Sequence, residues 1–321
     1  SPKIIANLSS EQKVSTIENM IALGPLELLF YVKGIDASAE PVPVKINAQT
    51  SASFLPAENK VVFEGDCICT MVSDNGDIQK KHILSSQKLI ATLQQSESKA
   101  DSSGVEHITA IGGIVQITVV EMSNNVTLGF SKLKCSQVDY DDLEKTIFAK
   151  GPGMIIVDNS RVKTSASENI AAGYSLSRPC YVFLRDFDEL QYYINSNKIL
   201  AYGIDKRLLI DYFPADKDDT DSQINSTAGS LQVNLIENAD GRTEISTIHA
   251  GNGITYEDSK NQIAANEMFY DSALSIITAR GSEEQGCMLN GVFVDEIQYD
   301  LKAGAILKTT LGKPSATDIE K

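Results

Sequence analysis

Apolar and polar residues alternate along much of this chain, the spacing of strands that bury one face. Leu26 to Val32, Pro43 to Ile46, Val61 to Val72, His107 to Met122 and Val126 to Leu133 read as strands. Arg207 to Phe213, Leu231 to Ile236, Thr243 to His249, Val292 to Leu301 and Ala305 to Leu311 extend the series. In the Val292 to Leu301 run, Ile297, Tyr299 and Leu301 alternate with Glu296, Gln298 and Asp300. Met154 to Val157 and Cys180 to Leu184 are short, wholly apolar runs of the fully buried type. Turn signals punctuate the series at Asp74-Asn-Gly76, Ser123-Asn-Asn125, Asn238-Ala-Asp-Gly241 and Lys302-Ala-Gly304.

Other stretches carry helical spacing. Ser9-Ser-Glu-Gln12 matches a capping box and precedes Val14, Ile17 and Ile21, with Gly24-Pro25 as the stop. Gln87 to Gln94, Asp139 to Lys150 and Phe187 to Asn195 also read as helices. The longest candidate, Ser259 to Arg280, places Ile263, Met268, Leu274 and Ile277 at imperfect helical intervals. The expected class is therefore α+β: β-rich, with sandwich or barrel-like sheets and a few interposed helices. Gly151-Pro-Gly153 suggests a division into 1–150, β-rich with helices, and 151–321, β-rich with one long helix. A single interleaved domain is the alternative. Gly34-Ile-Asp36 and Gly203-Ile-Asp205 recur in similar settings, which leaves duplication of two halves open.

With 321 residues, 42% apolar and 22% charged, the composition is that of an ordinary globular chain. A formal net charge of −15 argues against gripping nucleic-acid phosphates, which requires a basic footprint. Cys67, Cys69, Cys135, Cys180 and Cys287 lack disulfide or zinc spacing, so buried reduced thiols and synthesis in a reducing cytoplasm are expected. The longest apolar run, Ile111 to Val120, contains Gly and Gln and falls short of the roughly 20 residues of a membrane helix, so no membrane partner is expected. The sequence starts Ser1-Pro2, consistent with loss of an initiator Met or cleavage of a precursor.

Catalytic signatures are sparse. His82, His107 and His249 each stand apart from other histidines or cysteines at ligand spacing. Gly173-Tyr-Ser175-Leu-Ser177 misses the second glycine of a nucleophile elbow. Asp216, Asp218, Asp219 and Asp221 form one carboxylate cluster, a weak candidate for calcium that departs from the EF-hand pattern at Asp221 and Thr227. No catalytic residue, cofactor or resident metal is expected. Asn7, Asn125 and Asn225 head glycosylation sequons.

The closing segment Asn290 to Leu311 joins an alternating strand, a short Ala-Gly turn and a Thr-rich return strand. It resembles the C-terminal hairpin of bacteriophage tail-tube and related tail proteins. That resemblance implies a structural virion subunit: rings of copies of itself, other virion proteins as neighbours, and an acidic lumen along which DNA slides as cargo. A phage capsid or sheath subunit is the near alternative. The length exceeds that of a simple tube subunit, so extra domains would be required. Asp218, Asp219, Asp221, Tyr299, Leu301 and Gly304 are the expected assembly contacts, with the polar loops 96–104 and 215–223 as docking segments. From another class, an enzyme or ligand binder would use scattered residues such as Arg185, Asp186, Asp211 and Tyr212 at strand ends. A secreted adhesin of β domains is the third reading.

Overall fold

The structure, a computed structural model, describes residues 3–11, 14–32, 42–75, 78–94, 105–124, 126–162, 176, 178–205, 207–215, 223–237, 243–282 and 286–310. Among them are 24 β-strands, every mapped pairing antiparallel, and two three-residue 3-10 turns at Pro56–Glu58 and Ile194–Ser196. The chain divides into two compact units, 1–153 with 191–195, and 154–190 with 196–321.

The first unit contains β1 (Lys3–Glu11), β2 (Val14–Leu23), β3 (Leu26–Val32), β4 (Val42–Ala48) and β5 (Ser51–Leu55). It continues with β6 (Lys60–Asn75), β7 (Ile78–Leu93), β8 (Val105–Ser123), β9 (Val126–Asp141) and the start of β10 (Thr146–Asp158). The N-terminal half of β6 pairs with β5 and its C-terminal half with β4. Its long strands are therefore creased, each contributing half its length to one limb of a folded sheet. The crease is written in the sequence as breaks in strand geometry. Gly24-Pro25 separates β2 from β3, and Gln49-Thr50 separates β4 from β5. Gly65 and Asp66 have φ of +84° and +44°, and Gly112 and Gly113 have +92° and +64°. Pairing slips between Glu64 and Cys67, between Ser85 and Lys88, and between Ile111 and Val115, so bulges on three neighbouring strands line up. Gly24 N donates to Thr50 O at 2.8 Å and Gln49 N to Gly65 O at 2.7 Å, which keeps the bend hydrogen-bonded. One core cluster draws on both limbs: Ile46, Ala48, Phe63, Cys67, Leu89, Ala91 and Val105.

The second unit starts with the end of β10 and most of β11 (Cys180–Tyr193). One limb is built from β12 (Lys198–Gly203), β15 (Ser230–Glu237), β16 (Thr243–Gly251), β19 (Glu267–Asp271), β20 (Ile276–Arg280), β23 (Glu296–Asp300) and β24 (Ala305–Thr310), paired in that order. The other runs from β11 through β13 (Leu208–Pro214), β14 (Ile224–Ala228), β17 (Ile254–Glu257), β18 (Gln262–Ala265) and β21 (Cys287–Leu289) to β22 (Val292–Val294). Backbone bonds stitch the crease: Gly203 to Gly229, Gly229 to Gly251, Gly253 to Asn266, Asn266 to Arg280, Gly281 to Asp295 and Asp295 to Thr310. The rings of Tyr256 and Tyr299, one from each limb, meet edge to face at 6.4 Å, so the limbs face each other across the core.

The interposed helices are not found among the described residues. The described residues of the Ser9–Ile21 candidate belong to β1 and β2, Gln87–Gln94 lies in β7 but for its last residue, and Phe187–Asn195 lies largely in β11. Asp139–Lys150 covers the end of β9, the turn 142–145 and the start of β10, and Ser259–Arg280 comprises β18, β19 and β20. The crease produces the helix-like spacing. Ile263 and Ala265 point inward, but beyond the bend at Asn266 the inward set becomes Met268 and Tyr270, and beyond the next turn Ile277 and Ala279. These two breaks each shift the parity of a period-2 pattern, and the result imitates a longer period. Separate sandwich sheets are likewise replaced, within each unit, by one creased antiparallel sheet.

Candidate functional site: the open edges of the sheet

Inward-facing residues line up across neighbouring strands into rows. In the second unit, Val233, Ile248, Tyr270, Ile277, Tyr299 and Ile306 form one row. Tyr256, Ile263, Leu289 and Val292 form its counterpart in the other limb. Within the strands these residues are covered, but the rows end on Ile306, 41% exposed, and Val292, 58% exposed. Leu307 and Phe293 beside them are also exposed. In the first unit, one row runs from Ile4 through Ala22, Ala52, Phe63, Leu89 and Ala110 to Val138. Another runs from Leu28 through Ile46, Cys69, Leu84 and Ile117 to Leu133. Their first members are open too: Ile4 is 70% and Leu28 40% exposed. Each unit thus has an uncapped end where the core meets solvent.

Three hairpins, the last of which carries the edge strand β24, share a recurring turn. Tyr140-Asp141, Tyr270-Asp271 and Tyr299-Asp300 each open a four-residue reversal. The Asp carboxylate accepts from backbone N–H groups inside the turn: Leu143 and Glu144 at 2.9 Å, Leu274 at 3.1 Å and Ala303 at 2.9 Å. A residue of positive φ closes each turn: Lys145 at +51°, Ser275 at +56° and Gly304 at +61°. This Tyr-Asp spacing was visible in the sequence and would have identified the hairpins that were read as helix.

Of the expected assembly contacts, Tyr299 is buried in the core, Leu301 opens the last turn half-buried, and Gly304 closes it. Tyr299 and Tyr256 both hydrogen-bond to Asp258, the latter at 2.8 Å. Burial, reinforced by the Asp258 charge, pushes the Tyr299 hydroxyl up to about 12. Asp258 also receives Lys260 N and Asn261 N at 2.8 Å each, so this carboxylate fastens the β17–β18 turn to both limbs. Asp216, Asp218, Asp219 and Asp221 lie outside the described residues. On β24, Lys308 lies 3.7 Å from Glu296, whose carboxyl is held low chiefly by its hydrogen bond from Arg280.

The scattered Arg185, Asp186, Asp211 and Tyr212 do not converge on one site. Arg185 Nη2 pairs with Asp211 Oδ2 across neighbouring strands. Asp186 occupies a left-handed bend at φ +64°, and its carbonyl accepts from Ile204 N. Tyr212 is buried, and its side chain hydrogen-bonds to Cys180. Burial pushes the Cys180 thiol up to about 12 and raises the hydroxyls of Tyr212 and Tyr270, with the Glu244 charge acting in the same direction on all three. A thiol so placed stays protonated at neutral pH, so this group acts as a neutral polar clasp within the core.

His82 is half-buried with Ser73 Oγ at 3.5 Å from its Nε2, His107 Nε2 lies 3.6 Å from Asp139, and His249 is exposed. Among the described residues, no group of three His, Cys, Asp or Glu is placed to hold a metal ion. Among the same residues, no helix is long and apolar enough to cross a membrane. No protein-family model matches the chain, and no curated protein matches it.

Proposed function

We propose that this chain is a structural subunit of a large homo-oligomeric assembly rather than a catalyst. The observation that carries the reading is the open end of the creased sheet, where Val292, Phe293, Ile306 and Leu307 prolong the edge strands into solvent. Repeat-like β structures need a cap or a neighbour at such an end, because stacked units bury their faces only against one another. Within that class the narrower reading is a virion protein of the bacteriophage tail-tube type. The closing hairpin β23–β24, from which the tail-tube resemblance came, lies at this open end. A net charge of −15 suits a conduit wall that duplex DNA slides past without sticking.

Electron microscopy and native mass measurement of the untagged protein test the proposal. Rings, tubes or shells are expected; compact monomers at micromolar concentration would defeat it.

A further inference from the structure

The two open edges that lie beside a crease are complementary in direction. β1 starts at the crease, with Lys3 opposite Leu23 beside Gly24, and runs outward to Glu11, opposite Val14. β24 starts at its turn and runs back to the crease, where Asp295 N donates to Thr310 O at 2.7 Å. Among the described residues β1 pairs only with β2, and β24 only with β23, so each has an outward row of backbone donors and acceptors. Edges of this kind are usually guarded by charge or proline. β24 has a single Lys, Lys308, and Glu296 lies close enough to offset it.

We propose, building on the assembly reading, that copies of this chain join head to tail, β24 of one copy pairing antiparallel with β1 of the next. Placed side by side with their creases level, the two strands run in opposite directions, as neighbouring strands do within the chain. Ile4 and Thr309 then fall in the inward row nearest the crease, since Ile4 lies opposite Ala22 and Thr309 opposite Ile297. The exposed Ile4, Ile306 and Leu307 become covered by a continuation of the rows that cover their neighbours. Pairing of β24 with a second β24 would also be antiparallel, but it would set the two creases at opposite ends and interrupt the bend. The contact is heterologous, so it propagates into a filament or closes into a ring.

Variants blocked at one end test this, with mass photometry as readout and far-UV circular dichroism as the check on folding. Ile4→Lys and the double variant Ile306→Lys/Leu307→Lys should each be monomeric alone. Mixed in equal amounts they should form one-to-one dimers and stop there, because each dimer ends in two blocked edges. A wild-type protein that multimerises while both variants still multimerise would overturn the head-to-tail contact and leave the assembly reading standing. Dimers of Ile4→Lys alone would overturn it in favour of the β24–β24 pairing. A monomeric wild type would remove the assembly reading and this contact with it. As a second measurement on an otherwise unaltered edge, oxidised Ile4→Cys/Thr309→Cys should give a ladder of covalent multimers, whereas either single variant should stop at dimers. A double variant that also stops at dimers would count against the contact.

Discussion

At Gly65 the first unit's crease leaves no room for a side chain. Its φ is +84°, and a Cβ built there would lie 2.0 Å from Thr50 Oγ1, 2.7 Å from Thr50 Cβ and 3.0 Å from Thr50 N. Gly65→Ala therefore incurs two separable costs. The left-handed backbone costs an L-residue about 1–2 kcal/mol. Forcing an extra methyl against packed atoms adds about 1–3 kcal/mol. Together they amount to a loss of about 2–5 kcal/mol. Most of the second part comes from the Thr50 side chain, so a Thr50→Gly background should lower the penalty of Gly65→Ala toward the backbone share, about 1–2 kcal/mol. Urea denaturation of the four proteins, followed by far-UV circular dichroism, completes the double-mutant cycle. A Gly65→Ala penalty below about 0.5 kcal/mol, or an equal penalty in both backgrounds, would refute the crease geometry.

The other predictions concern the polar groups of the core. Tyr256→Phe removes the hydroxyl that donates to Asp258 at 2.8 Å and should cost about 1–3 kcal/mol, read as a lowered urea midpoint. No change in midpoint would mean that Asp258 is not the fastening point described. Burial, helped by the Lys80 charge, lowers the pKa of His82, so the unfolded chain takes up its proton first as pH falls. Stability should decline below the ordinary histidine value of about 6.5, and His82→Gln should flatten that decline between pH 7.5 and 5.5 in thermal melts. An unchanged slope in the variant would assign the effect elsewhere.

Much of the strand content was legible because alternation survives inside each half-strand, as at Ile297 and Tyr299. The crease was not legible, because Gly112-Gly113 resets the inward parity of β8 from Ala110 to Val115 without stopping the strand, and Asn266 resets it between the short strands β18 and β19. In β11, buried Cys180, Leu184, Phe187 and Leu190 fall at helix-like intervals for this reason, with Asp186 in a left-handed bend between them. The apolar ends of the rows could not be read either. Ile4 and Ile306 look like any other buried strand residue until the pairing reveals that each belongs to the last strand in its row. The scattered Arg185 and Asp211 were legible as an ion pair only once their strands were known to be neighbours.

The way strands find their partners bears on how the chain comes to be folded. Among the described residues even the widest pairings, such as Gln79 with Met122, join stretches that follow closely in the sequence. Contact order is thus low for so β-rich a chain, and the loop-closure entropy of each new pairing stays small. Each hairpin can add to the one before it as the polypeptide leaves the ribosome, without waiting for distant sequence. The nascent chain would then grow from its N-terminal hairpins, with its newest strand always the adhesive one.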